Sequence, residues 1–139
     1  MTIIERLRQY KELDPHKIAL IVDDKKYTYG DLYDAILSID INDTSRIVNV
    51  AQTKESPKHI VALIQSQSFV EQLVQWLGGL YTGYIPTVCH NEMDTEYVEE
   101  LARIIAYKGV APLADFGVLT SGTTGRPKPL WRSESSWRE

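Results

Sequence analysis

Cysteine is almost absent from this chain: Cys89 stands alone among 139 residues. No disulfide can close within the chain, and a single thiol points to a reducing, cytoplasmic setting. Long apolar runs are missing too. Nothing approaches the roughly 18 consecutive apolar residues of a membrane-spanning helix, and Met1-Thr2-Ile3-Ile4-Glu5-Arg6 lacks the apolar core of a secretory leader. Positive charge is not in excess. Lys and Arg number 15 against 19 Asp and Glu, a net charge of −4 with no basic stripe, which argues against a nucleic-acid partner. His16, His59 and His90 stand far apart, without the spacing of a metal site. A Gly-x-Ser-x-Gly elbow for a nucleophilic serine is lacking. Internal repeats and low-complexity tracts are lacking as well.

What is present is an ordinary globular composition, 43% hydrophobic and 24% charged, at the size of one domain. Thr2 and Glu5 have capping-box spacing ahead of an apolar stripe of Ile3, Ile4, Leu7 and Leu13, so a helix is expected to run to about Asp14-Pro15. Ile18–Val22, the turn pair Asp23-Asp24 and Tyr27-Thr28 spell a short hairpin. Thr28 with Asp31 opens a second helix, whose buried face is Leu32, Ala35, Ile36 and Ile39. Residues 40–45 read as a polar break, 46–52 as a strand and 53–58 as a solvated turn.

From residue 60 the pattern alternates. Ile60–Ile64 is an apolar run of the kind covered on both faces of a sheet. Ser68 and Glu71 repeat the capping box before a helix that Gly83 ends. Gly78-Gly79 inside that helix costs up to about 1 kcal/mol per glycine against alanine, which suggests another backbone packed close by. Residues 84–88 form a short strand, which Pro86 should confine to an edge or a strand end. Asp94 caps a helix with Tyr97, Val98, Leu101, Ile104 and Ile105 facing inward, ended by Gly109, and Phe116–Leu119 is the last strand. Strand, helix, strand, helix, strand is the pattern of an α/β domain: a largely parallel sheet with flanking helices, here preceded by a helix and a hairpin. Ligands of such sheets bind beyond the carboxyl ends of the strands.

At the end of that last strand stands Thr120-Ser121-Gly122-Thr123-Thr124-Gly125-Arg126-Pro127-Lys128. Glycines let the backbone approach a ligand closely and aim successive N–H groups into one anion-binding concavity. The hydroxyls donate to phosphate oxygens, and Lys128 brings a compact positive charge. It is not the Walker loop, because Pro127 occupies the place of its second glycine. The nine residues resemble, position for position, the phosphate loop of the adenylate-forming (AMP-binding) enzymes, the superfamily of acyl-CoA synthetases, adenylation domains and luciferases. Tyr27–Leu32 is similar to an "LTYxEL" motif of those enzymes, and Ile60–Ile64 with the helix after it and Gly83-Tyr84-Ile85-Pro86 resembles another of their segments. These two are weak alone but come in the right order.

The resemblance implies that residues 1–139 are one partial domain, the N-terminal subdomain of that fold. It implies an acyl- or aryl-acid ligase. A carboxylic acid attacks the α-phosphate of ATP, pyrophosphate leaves, and the acyl-adenylate passes to the thiol of coenzyme A or a carrier protein. Thr120, Ser121, Gly122, Thr123, Thr124, Gly125 and Lys128 would hold the β- and γ-phosphates, with Mg2+ bound by the family's downstream glutamate. The family's aromatic-Gly-x-Thr-Glu motif, ribose-binding aspartate and C-terminal lysine have no counterpart in these residues, so no catalytic residue is expected and the 139 residues alone should be inactive. The competing expectation is a stand-alone interaction module with a vestigial phosphate loop. A helix-opening pattern at Ser133–Glu139 favours a cut chain, and a cut chain should self-associate through the Phe116–Leu119 strand and the tail that follows it.

Overall fold

The computed structural model describes residues 2–55, 57–120 and 128–135. The first helix, α1 (Ile3–Leu13), starts where Thr2 and Glu5 form a complete capping box and stops at Asp14. The hairpin follows as β1 (Ile18–Val22) and β2 (Lys25–Thr28). Its two-residue turn has Asp23 at φ 51° and Asp24 at φ 67°. Two left-handed residues match the right-handed twist of paired strands, and aspartate tolerates that region better than most residues. Thr28 and Asp31 close a second capping box at the start of α2 (Tyr29–Ser38).

Residues 40–45 are not a polar break. They hold a one-turn helix, α3 (Ile41–Thr44), because the Asp40 carboxylate accepts the Asn42 N–H while Ile41 is buried at 2% exposure. One anchoring isoleucine outweighs the polar composition around it.

The main sheet has the order β3 (Arg46–Asn49), β4 (Ile60–Ile64), β5 (Ile85–Val88), β6 (Phe116–Leu119) and β7 (Pro129–Arg132). Strands β4, β5 and β6 run parallel, linked by α4 (Phe69–Tyr81) and α5 (Thr95–Lys108). This is the strand–helix alternation legible from residue 60. Antiparallel strands flank it on both sides, β3 on β4 and β7 on β6, so the sheet is mixed. Two apolar layers enclose it. One joins Val48, Val61, Leu63 and Ile85 to Val98, Leu101, Ala102 and Ile105 of α5. The other joins Leu32 and Ile36 of α2 to Val74, Leu77 and Leu80 of α4, with α1 and β1 partly buried against it.

Several expectations are corrected by packing. Pro86 lies in β5, the central strand, so of the two places expected for it the edge is excluded and the strand end, second of four residues, is the one it takes. Registered pairing of β5 with β6 is confined to Thr87 and Gly117, so the missing N–H falls before that ladder begins. The Pro86 ring instead packs on Gly79: a Cβ there would lie 2.9 Å from it, and one on Gly78 would lie 2.6 Å from Ile39. The close neighbours of the glycine pair are therefore side chains, not a backbone. Ala102 replaces Ile104 on the buried face of α5, Ile104 being exposed. The box at Ser68 is half formed, because the Glu71 carboxylate accepts the Ser66 hydroxyl and does not reach the Ser68 N–H. Finally, Phe116–Leu119 is not the last strand. Its edge is covered by β7, with Gly117 opposite Trp131 and Val118 opposite Leu130, so the unpaired β6 edge expected of a cut chain does not exist.

Candidate functional site

The parallel strands β5 and β6 end side by side, and a cleft of about 910 Å³ opens beyond their carboxyl ends. Its walls come from Trp76 of α4, from Val88 at the end of β5 with Cys89 and Met93 after it, and from Phe116, Val118 and Thr120 of the β6 side. The Trp76 and Phe116 rings meet edge to face with centroids 5.4 Å apart. The segment after β5 is pinned from the residue that follows β4, where the Gln65 amide donates to the His90 carbonyl at 3.0 Å, and it is braced within itself, where His90 Nδ1 accepts the Glu92 N–H at 3.1 Å. Burial pushes the Cys89 thiol up to about 11. It is a packed apolar wall, not a nucleophile.

Thr120 forms the rim of this cleft. Its backbone N–H donates to the Lys128 carbonyl at 2.9 Å, and its hydroxyl oxygen accepts the Lys128 N–H at 3.1 Å. With β6 and β7 paired behind them, Thr120 and Lys128 close the neck between the two strands. The Thr120 hydroxyl keeps its own proton to donate. Lys128 is exposed. Of the residues expected to hold phosphates, Thr120 and Lys128 are thus brought together, whereas Ser121, Gly122, Thr123, Thr124 and Gly125 lie outside the described residues.

Sequence reasoning missed the cleft walls, since nothing in Trp76 or Met93 distinguishes a cleft wall from core. Among the described residues no group of His, Cys, Asp and Glu is arranged to hold a metal ion, and no helix is long and apolar enough to cross a membrane.

No protein-family model matches the chain. Curated relatives include a protein described as a putative long chain fatty acid-CoA ligase, VraA, of Staphylococcus haemolyticus (strain JCSC1435). It is 28% identical over 156 residues, covering 99% of this chain and 33% of the relative. The protein of the same description from Staphylococcus epidermidis (strain ATCC 35984) is 26% identical, covering 97% and 32%. The chain thus spans about a third of the length of the curated relatives it matches. Among solved structures, O-succinylbenzoate coenzyme A synthetase (MenE) from Bacillus subtilis, in complex with AMP, superposes with a TM-score of 0.59 at 17% identity, over 92% of this chain and 42% of that one. The N-terminal subdomain of Klebsiella oxytoca NpsA, in complex with 3-hydroxyanthranilyl-AMSN, gives 0.55 at 17%, over 93% and 39%. At such identities the structural likeness shows the fold. Taken with the sequence relatives, it supports an N-terminal segment of an AMP-binding, acyl-CoA synthetase-like enzyme.

Proposed function

We propose that this chain supplies the ATP-phosphate loop of an AMP-forming acid–thiol ligase, with Thr120, Ser121, Gly122, Thr123, Thr124, Gly125 and Lys128 on the β- and γ-phosphates. The observation that carries the reading is the neck of the hairpin. The Thr120–Lys128 pair fixes the two ends of the Gly/Thr sequence at the carboxyl end of a parallel strand, beside an apolar cleft. Anions bind in that place in sheets of this kind. The chemistry of the loop is electrostatic: donors and one ammonium aimed at the charge that grows on departing pyrophosphate. A nucleotide held there has Trp76, Met93 and Phe116 beside it for its less polar parts. Activity of the complete ligase uses ATP with Mg2+, a carboxylic acid and a thiol such as coenzyme A.

The test is a titration of the chain with inorganic pyrophosphate, followed by amide resonances. The expected result is saturable shifts at Thr120 and Lys128 and in the residues between them, weakened by Lys128→Ala with no change in the thermal midpoint. Spectra unchanged at millimolar pyrophosphate would remove the phosphate role.

A further inference from the structure

At the other end of the β6–β7 hairpin, the segments before β4 and after β7 meet on one carboxylate, that of Asp115. Asp115 immediately precedes β6. Its Oδ1 accepts from Lys58 Nζ at 2.9 Å, and its Oδ2 accepts from the Glu134 N–H, just after β7, also at 2.9 Å. Its own N–H donates to the Arg132 carbonyl at 2.7 Å. Glu134 in turn accepts the Ile3 N–H at the start of α1, at 2.9 Å. Lys58 and Asp115 are 29% and 26% exposed, so the ion pair is screened less than a surface pair.

We propose that Asp115 is a positioning residue: its carboxylate clamps the open end of the hairpin and so holds Thr120 and Lys128 in register at the loop end. The functional half of this proposal rests on the phosphate-loop reading above. The need for a clamp follows from β7 itself. It has four residues, Leu130 and Arg132 are exposed, and Trp131 is its one side chain packed into a core. Short edge strands of this kind bury too little to hold themselves. Asp115 lies at the point where β6 begins and Glu134 at the point where β7 has ended, so their bond closes the hairpin where the ladder stops. Lys58, just before β4, ties that closure across the sheet. Both carboxylate oxygens are used, and a neutral amide has one acceptor for two donors.

Asp115→Asn therefore opens one arm of the clamp. Hydrogen exchange at the Thr120 and Lys128 amides is expected to accelerate at least about fivefold, with Leu101 and Ile105 of α5 unchanged. The dissociation constant for inorganic pyrophosphate is expected to rise roughly five- to tenfold, the low end for coupled sites. Glu134→Ala keeps its backbone N–H on Asp115 and is expected to accelerate exchange at Ile3 alone. If Asp115→Asn unfolds the whole domain, Lys58→Met removes the other arm while sparing the Glu134 bond, and the same readings apply to it. Unchanged exchange at Thr120 and Lys128 overturns the clamp. Accelerated exchange with an unchanged pyrophosphate constant overturns the positioning role. A wild-type chain that ignores pyrophosphate defeats the phosphate-loop reading instead, and the exchange data then decide the clamp by themselves.

Discussion

Gly117→Ala is the sharpest small perturbation of the hairpin. Gly117 sits in β6 between Thr87 of β5 and Trp131 of β7, in register with both. A Cβ at this position would stand 2.7 Å from Trp131 Cζ3, 3.0 Å from Cε3, and in hard overlap with the Thr87 hydroxyl oxygen. Thr87 is fully buried in the central strand and β-branched, so it has little room to rotate. The relaxation that costs least is displacement of Trp131 and, with it, the edge strand. Overpacking of this kind costs about 1–3 kcal/mol. Replacing a strand glycine returns roughly 0.5–1 kcal/mol of backbone entropy. The balance is a destabilisation of about 1–2 kcal/mol, or a fall of roughly 3–8 °C in Tm for a domain this size. Urea unfolding followed by far-ultraviolet circular dichroism reads it without relying on the tryptophans. A variant as stable as wild type would show that Gly117 is not held between Thr87 and Trp131, and that β7 packs on β6 in some other way.

Three further outcomes are expected. The hydrogen bond from Arg46, then its charge, holds the Glu99 carboxyl below its ordinary value, so the pair contributes stability above the unfolded carboxylate pKa and loses it as pH falls. The urea midpoint of wild type should exceed that of Glu99→Gln slightly at pH 7, and the gap should close through the acid range; a gap that widens in acid contradicts the pairing. Cys89, fully buried and with its thiol raised to about 11, should resist a thiol-specific disulfide reagent at pH 8 until urea unfolds the chain; rapid labelling of folded protein would place it outside the core. The 139 residues alone should give no carboxylate-dependent ATP–pyrophosphate exchange, and clear exchange would show that they carry a complete set of catalytic groups.

The elements bounded by local chemistry were legible in the sequence. Thr2, Thr28 and Asp94 cap helices where their spacing said, Gly83 and Gly109 end them at positive φ, and Asp23-Asp24 turns the hairpin. Each of these signals acts within four residues. What escaped was decided by partners distant in sequence. Ile41 forms a helix turn because a core receives it, and Pro86 is accepted in a central strand because Gly79 makes room. Strand β7 reads as nothing in particular until β6 pairs with it. The site divides the same way. Thr120 and Lys128, singled out by composition, are the two residues of the expected loop that the fold brings together. The Asp115 cluster is not singled out in that way, because Ile3, Lys58, Asp115 and Glu134 converge only after folding.

The proposed function has the Gly/Thr sequence from Thr120 to Lys128 recognise the β- and γ-phosphates of ATP. Calorimetric titration of the chain with pyrophosphate, ATP and AMP, repeated at two salt concentrations, tests it most directly. Pyrophosphate and ATP should bind with similar constants that weaken with salt, as charge-driven contacts do. AMP, which has neither of those phosphates, should bind far more weakly. Equal binding of AMP and pyrophosphate, or no heat from either polyphosphate at millimolar concentration, would contradict the claim.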